Sequence, residues 1–579
     1  MFVRTKSSPN SPRKTVQIVE SVRNGKSVSQ KIVQYIGVAQ DAESLQKLQL
    51  LARQVIVELE EQRKAASSQP ELFELEHVYE KAVDDSVTVK VRNLQNESTV
   101  VEGPMEAVER MFSYLGYDRV FGNSTREAGH RTLLKQLIAG MLARPSSKLG
   151  LSEWFASACA TDVSEDRMYR FLDALHKKED RIKQVVRQNT EDLLLARPTL
   201  MLFDVTTLHN ESQIEDNLRK FGFSKANKAN ETQTVLALAT TPDGMPLWYE
   251  LFPGNTYEGD TLRKFIDTWR REEYPESKGV IVADSAMSAA AGLTDIGSLN
   301  LNYVVGARLK NMSKALKEKI LTPSLYTDLS AEDDTLRYQV IRRAKDNIVV
   351  VYSANRARHD AKKRERLLVA LKKKLGKSGE IKSSSVQSKK GRARYLKSTT
   401  DENETIYVLD EEKIAQDAQW DGIYGMVTDL PVEKIGDIRE ILSHYRSLWR
   451  IEESFRISKS GLKIRPIFHS KEERIRAHIS LVYMAYACIR HLQMRLKLTQ
   501  NVAMSVDVIR EALLSVTSSL IRDKSTGVLY RFPKVLSTNA ARIYRSLGIR
   551  HSTSPTQITS MAKYRARSRY LRGEGVPES

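Results

Sequence analysis

From residue 199 onward, short β-prone apolar runs alternate with helical stretches, and this alternation limits the fold more than any other feature of the chain. LMLFDVTTL reads as a strand, and TVLALATTPDGMPLWYELFPG as two strands about a Pro-Asp-Gly turn. DTLRKFIDTWRREEY reads as a helix, GVIVADSA as a strand, SAAAGLTDIGSL as a helix and NYVVGARL as a strand. The order β-β-β-α-β-α-β predicts an α/β core: a mixed sheet with three leading antiparallel strands, flanked by helices.

Three acids hold marked positions in this frame. Asp204 and Asp284 sit at the ends of the first and fourth apolar runs, and Glu452 lies on an amphipathic helix predicted over 437–460. Taken singly, the aspartates have plain structural readings. Asp204, with the threonines after it, can cap a turn, and Asp284 can cap a helix starting near Ser285. Taken together, carboxylates on two strand ends and one helix can converge on two divalent ions and drive in-line attack on a phosphodiester. On the predicted helix, Tyr445, Glu452 and Lys459 recur every seven residues and form one stripe. At about 1.5 Å per residue that stripe is about 21 Å long. Arg456 lies one turn beyond Glu452, and Leu448, Trp449 and Phe455 flank the stripe. The acid suits a metal, the cations suit phosphate, and the tyrosine can pack or hydrogen-bond. In isolation the same residues also describe a solvated face with charge partners one and two turns away.

The formal net charge is +19, and it is localised. Residues 1–40 carry seven Lys/Arg and one acid, and residues 356–397 carry sixteen Lys/Arg and three acids. Positive charge concentrated in this way releases counterions from a polyanion. With a phosphodiester-type site beside it, nucleic acid is the expected partner ahead of an anionic membrane. No run of 18 apolar residues occurs, and MFVRTKSSPNSPRK lacks the apolar centre of a secretory signal. Cys159 and Cys488 are the only cysteines, which excludes a disulfide framework and a cysteine-rich zinc site and fits a reducing cytoplasm.

Elsewhere, KTVQIVESV and SVSQKIVQYIG about an Asn-Gly turn predict a hairpin at 14–37. A helix is expected at 43–64, with Leu48, Leu51, Val55 and Leu59 on one stripe, followed by a linker at 65–71. Short strands are expected in DSVTVKVRNL and ESTVVEG, then a helix stopped by Pro145 and a helical stretch to Pro198. LRYQVIRR, NIVVVYSA and ETIYVLD read as strands about a basic helix and a lysine-rich loop at 375–398. A second long helix is expected at 471–497, and residues 500–579 read as helical, then tail-like. GFSKANK, with Lys225 and Lys228, fits a phosphate contact or a surface loop equally well. His469 and His478, nine apart, lack the helical spacing of metal ligands, and Trp248, Trp269 and Trp420 read as core.

These residues resemble the DDE transposases of bacterial insertion sequences, in the group with a Y-R-E-K signature and a large insertion before the catalytic Glu. Tyr445, Glu452 and Lys459 match that signature at its spacing, and Leu448 stands at the Arg position. FDVTTL, GFSKANK, ELFPGNTYEGDTL, VADSAM, YSANRARHDAKKRERLL, LWRIEESFRISK and RPIFHSKEERIRAHI look like the long, roughly 550-residue subgroup. The resemblance covers roughly residues 100–500. It implies an RNase H-like core interrupted by a β-rich insertion, with an α+β N-terminal region. It implies Asp204, Asp284 and Glu452 as catalytic, metal-holding acids, with Tyr445, Arg450, Arg456, Lys459, Lys225 and Lys228 toward DNA. It further implies two Mg2+ ions, for which Mn2+ can substitute, double-stranded DNA as element end and target, a homodimer when two ends are paired, and a place at the bacterial nucleoid in the cytoplasm. The expected division is 1–70 and 71–198 for end binding and linkage, and 199–309 for the first part of the core. The insertion is expected at 310–425, the second part of the core at 426–500, and a helical C-terminal region at 501–579. A related nuclease or integrase that hydrolyses without joining, or a non-catalytic DNA-binding derivative, would share most of these features.

Overall fold

The computed structural model describes residues 2–8, 11–24, 27–39, a few positions between 45 and 56, and then 88–122, 124–194, 199–222, 230–272, 279–287, 301–329, 336–375, 381–382, 391–401 and 404–558. The chain divides into two compact units. One comprises Met1–Pro198, Asp204–Thr256 and Arg450–Ser579; the other comprises Thr199–Phe203 and Tyr257–Trp449. The Leu200–His209 strand runs from the second unit into the first, with the division between Phe203 and Asp204.

In the first unit, the hairpin is Ser11–Asn24 paired with Ser27–Ala39, and Phe2–Ser8 adds a third antiparallel strand. Val16, Ile18, Ile36 and Ala39 on these strands bury against Leu48, Ala52 and Val55. Leu51 and Leu59 of the expected stripe lie outside the described residues. Three helices, Lys148–Ala158, Glu165–His176 and Glu179–Leu194, fill the stretch before Pro198. The helix Thr125–Ala143 is capped by the Ser124 hydroxyl and ends two residues before Pro145, whose ring disfavours helical backbone in the residue before it. At the centre lies Glu472–Gln500, apolar around most of its circumference and buried along most of its length, as such a pattern requires.

Two expectations fail in this unit. VKVRNL is not a strand: Val91–Asn93 is a short 3-10 turn, and the strand is Leu94–Val101. The C-terminal region is not helical throughout. Thr517–Asp523, Leu529–Pro533 and Thr556–Ile558 join Leu94–Val101 in a four-stranded sheet. Those strands are short, and the sheet depends on a partner more than 400 residues away in the chain. Local periodicity carries no trace of such a pairing.

In the second unit, Leu200–Phe203 runs parallel to Val280–Ala283, and Gly279–Ala283 runs parallel to Leu301–Val305. Ile423–Thr428 then pairs antiparallel with Leu301–Gly306, and the sheet continues through Asn347–Ser353, Leu336–Arg342 and Thr327–Asp328. The strands of LRYQVIRR and NIVVVYSA therefore extend this sheet. ETIYVLD belongs instead to a small three-stranded sheet of Ile381–Lys382, Leu396–Asp401 and Glu404–Leu409. The basic helix is Ala354–Leu375.

The first unit also buries a cation. The Lys183 ammonium, its side chain 4% exposed, lies 3.2 Å from Glu250 and 3.3 Å from Glu179, over the rings of Trp248 and Tyr249. Removing one member of a buried charge cluster leaves its partners unpaired in a medium that solvates them poorly. Lys183→Met should therefore destabilise the protein by about 3–5 kcal/mol in urea unfolding. Adding Glu250→Gln should restore part of the loss, and an additive double variant would contradict the pairing.

Candidate active site

The parallel register of the second unit brings the last paired residues of the two strands into line. Phe203 pairs with Ala283, and each is followed in the chain by an aspartate, Asp204 and Asp284. Both carboxylates make the same local bond: Asp204 Oδ1 accepts from the Val205 amide at 2.7 Å, and Asp284 Oδ1 from the Ser285 amide at 2.6 Å. Asp284 thus caps the short Ser285–Met287 turn and remains exposed, while Asp204 is half-buried.

Tyr445 belongs beside Asp284. A Cβ at Gly306 would lie 2.7 Å from the Tyr445 hydroxyl and 2.8 Å from the Ser285 amide nitrogen. Residue 306 is therefore glycine because the tyrosine and the backbone after Asp284 close over it. Tyr445 is on Ile435–Arg446, which does not continue to Glu452. The single helix expected over 437–460 is broken. Ser447 and Leu448 form a turn, Trp449–Arg456 is a second helix, and Ile457–Gly461 a π turn. The Ser447 hydroxyl donates to the His444 carbonyl at 2.5 Å, and the Leu448 amide bonds three residues back to Tyr445. Side-chain competition of this kind ends regular helix, and heptad spacing could not reveal it.

In the first unit, Lys459 donates to the Thr206 hydroxyl. Thr206 stands two residues from Asp204 on one strand, hence on the same face. The chain after Glu452 is tied to that strand again, where the Ile467 amide donates to His209 at 3.1 Å and the Glu211 amide to Ile467 at 2.8 Å. Glu452 itself is exposed and, among the described residues, has no ion pair or hydrogen bond. Arg450 and Arg456 both reach Glu453, at 3.4 and 3.7 Å. Lys225 and Lys228 lie outside the described residues, as does the side chain of Trp269. Trp248 is fully buried, whereas Trp420 is half-buried beneath Lys310. His478 is buried and His469 half-buried, with ring centres 5.4 Å apart. Burial, with Lys148 nearby, pushes His469 down to about 3 and His478 well below the usual value, so both are neutral near pH 7.

Among the described residues, no three His, Cys, Asp or Glu side chains lie close enough together to hold a metal ion. Asp204, Asp284 and Glu452 nevertheless offer only carboxylate oxygen, the donor that Mg2+ takes, so their chemistry fits that ion.

Residues 196–488, just over half of the 579-residue chain, match the family described as transposase DDE domain. Residues 2–67 match the N-terminal domain of the IS1634 family transposases. The chain belongs to the DDE transposase family. It is a DNA transposase of the bacterial insertion-sequence type. No curated protein matches it. Among solved structures it is similar to a piggyBac transposase synaptic complex with hairpin DNA, at 9% identity and a TM-score of 0.34, over 81% of each chain. It is also similar to a Mos1 transposase paired-end complex with the left transposon end, at 13% identity and a TM-score of 0.14, over 31% of this chain and 59% of that one. Similarity at these TM-scores carries no weight beside the family matches.

The transposase holds its Glu452 helix by a network that the sequence reading missed. The Arg490 guanidinium, 6% exposed, donates to Glu453 at 2.9 Å and to the Tyr486 hydroxyl at 3.1 Å. Tyr486 in turn donates to the Gly244 carbonyl at 2.5 Å and lies 2.6 Å from the Ser454 hydroxyl. One acid of the Glu452-Glu453 pair is thus anchored inward while the other faces out. A lone arginine inside SLVYMAYACIRHL was the available signal, because a buried guanidinium demands an acid. Burial pushes the Glu453 carboxyl up, but Arg490 and then Arg450 outweigh it and hold it below the usual carboxylate value. Stability from this pair is complete above the ordinary glutamate value and is lost as pH falls through the lowered one. Arg490→Met removes the larger pull, so Glu453 should take up its proton at higher pH. Urea unfolding from neutral pH into acid should show the deficit of this variant shrinking as the parent loses the same interaction. A deficit constant with pH would refute the pairing.

Proposed function

We propose that Asp204, Asp284 and Glu452 are the catalytic acids of this transposase, acting together on one DNA phosphodiester within an RNase H-like core. The observation that carries this reading is the register Phe203–Ala283, after which each of two neighbouring parallel strands continues into an aspartate, Asp204 within Leu200–His209 and Asp284 just past Gly279–Ala283. The outward Glu452, without an ion pair among the described residues, on an anchored helix supports it. The reading requires the three acids to meet around the scissile phosphate. They would hold two Mg2+ ions, which when bound lower the pKa of a water and stabilise a leaving 3′ oxygen.

The remaining roles belong to the chain's own groups. Tyr445, beside the Ser285 amide, would bond a phosphate oxygen near Asp284. Lys459, held at Thr206, would set a positive charge on the Asp204 side of the same phosphate. Leu448 occupies the Arg position of the signature, in the turn between two helices. Arg450 and Arg456, both at Glu453, would substitute for that cation. Cleavage at an element end frees a 3′ hydroxyl, and the same site would direct it onto target DNA. Pairing two ends calls for two copies of the chain on DNA. Among the described residues no helix is long and apolar enough to cross a membrane, and a place at the nucleoid suits a DNA substrate.

Asp204→Asn, Asp284→Asn and Glu452→Gln should each lower end cleavage in Mg2+ by on the order of a thousandfold, with end binding in EDTA retained. Glu453→Gln should cost stability far more than this. Cleavage of a linear duplex bearing the element's own ends, scored with strand transfer into a plasmid, checks these outcomes. Parental cleavage by any of the first three variants would remove that residue from the site.

A further inference from the structure

The helix Ala354–Leu375 divides its charges by direction. Its inner side carries Leu371 and Leu375 into a small core with Tyr395 and Leu396. The same side uses its partnered charges. Arg364 forks onto Asp421 at 2.5 and 2.6 Å, Asp360 accepts from the Gly422 amide at 3.2 Å, and Arg356 lies 4.7 Å over Tyr424. The outer side is different. Lys362, Lys363, Arg366, Lys372, Lys373 and Lys374 are exposed, and among the described residues none of them is ion-paired. The only exposed acid on the helix is Glu365. At 3.6 residues per turn, Lys362, Arg366 and Lys373 fall on one line, with Lys363 and Lys374 along one flank. The line from Lys362 to Lys374 is about 18 Å long at about 1.5 Å per residue.

We infer that this face binds the phosphate backbone of duplex DNA without reading its sequence, and so serves target or flanking DNA instead of recognising the element's ends. Charge chooses a polyanion, because six cations held apart on a rigid helix repel one another until an anion lies between them. Chemistry chooses the backbone over the bases. Base edges are read by the bidentate forks of Arg, Asn and Gln, whereas five of these six cations are lysines, which act as point charges. The inference rests on the chain being a DNA transposase and on nothing about its metal site.

The test replaces Lys362, Lys363, Arg366, Lys373 and Lys374 with Gln together in the full chain. Binding is measured in EDTA at several salt concentrations to two duplexes of equal length. One carries the element's terminal sequence and the other a scrambled sequence. Expected is an affinity loss on the order of tenfold or more for both duplexes. The salt slope should flatten by about 0.9 for each phosphate that is no longer neutralised, and the ratio between the duplexes should not change. An unchanged slope with an unaltered urea midpoint would overturn the inference. In that case a smaller assembly in sizing chromatography would give the face to a second copy of the chain. A fall in the ratio would also overturn it, by showing that the face reads bases. Because EDTA removes divalent ions, failure of the three-acid site leaves these readouts untouched.

Discussion

Parallel pairing of Leu200–Phe203 with Val280–Ala283 is the constraint on which the proposed three-acid site depends. Parallel strands share a direction, so their ends lie on one edge of the sheet. The paired residues Leu202, Phe203, Ile281 and Val282 form an apolar layer, and an aspartate follows the last paired residue on each strand. Reversing either strand would send its aspartate to the opposite edge. The next parallel strand, Leu301–Gly306, ends in a glycine against the Ser285 backbone, which leaves room for the Tyr445 hydroxyl.

In the first unit the long buried helix Glu472–Gln500 holds the Glu452 helix. Arg490 reaches Glu453, and Tyr486 reaches Ser454 and the turn at Gly244. Each bond involves a group that would be costly to leave unpaired at that depth. Together they fix the rotation of Trp449–Arg456 about its axis, which decides whether Glu452 or Glu453 faces out. A helix held only by apolar packing could turn by part of a residue without much penalty.

Legibility in the sequence followed the range of the interactions. The hairpin of Ser11–Asn24 and Ser27–Ala39, the helix before Pro145 and the strands bearing Asp204 and Asp284 were readable because their signals are local: alternation, a turn dipeptide, a proline stop. The sheet joining Leu94–Val101 to Thr517–Asp523 was not: ESTVVEG reads as a strand, but its partner lies more than 400 residues away, in a stretch that reads as helical. The break at Ser447 escaped for another reason. Spacing by sevens places residues on a helix only if the helix continues, and one hydroxyl taking one carbonyl ended it. The Glu-Glu pair was ambiguous until Arg490, 37 residues later, showed which acid was held inward.

The basic helix sits on its own small core and is fastened by the Arg364–Asp421 fork, while its outward cations are exposed and, among the described residues, not ion-paired. Exchanging a solvated lysine there alters stability by only a few tenths of a kcal/mol. Selection can therefore raise or lower the grip on chromosomal DNA one residue at a time, without endangering the folding of the core sheet. A mobile element whose success turns on how long it lingers at each site would have, in this helix, a control that mutation can adjust in small steps.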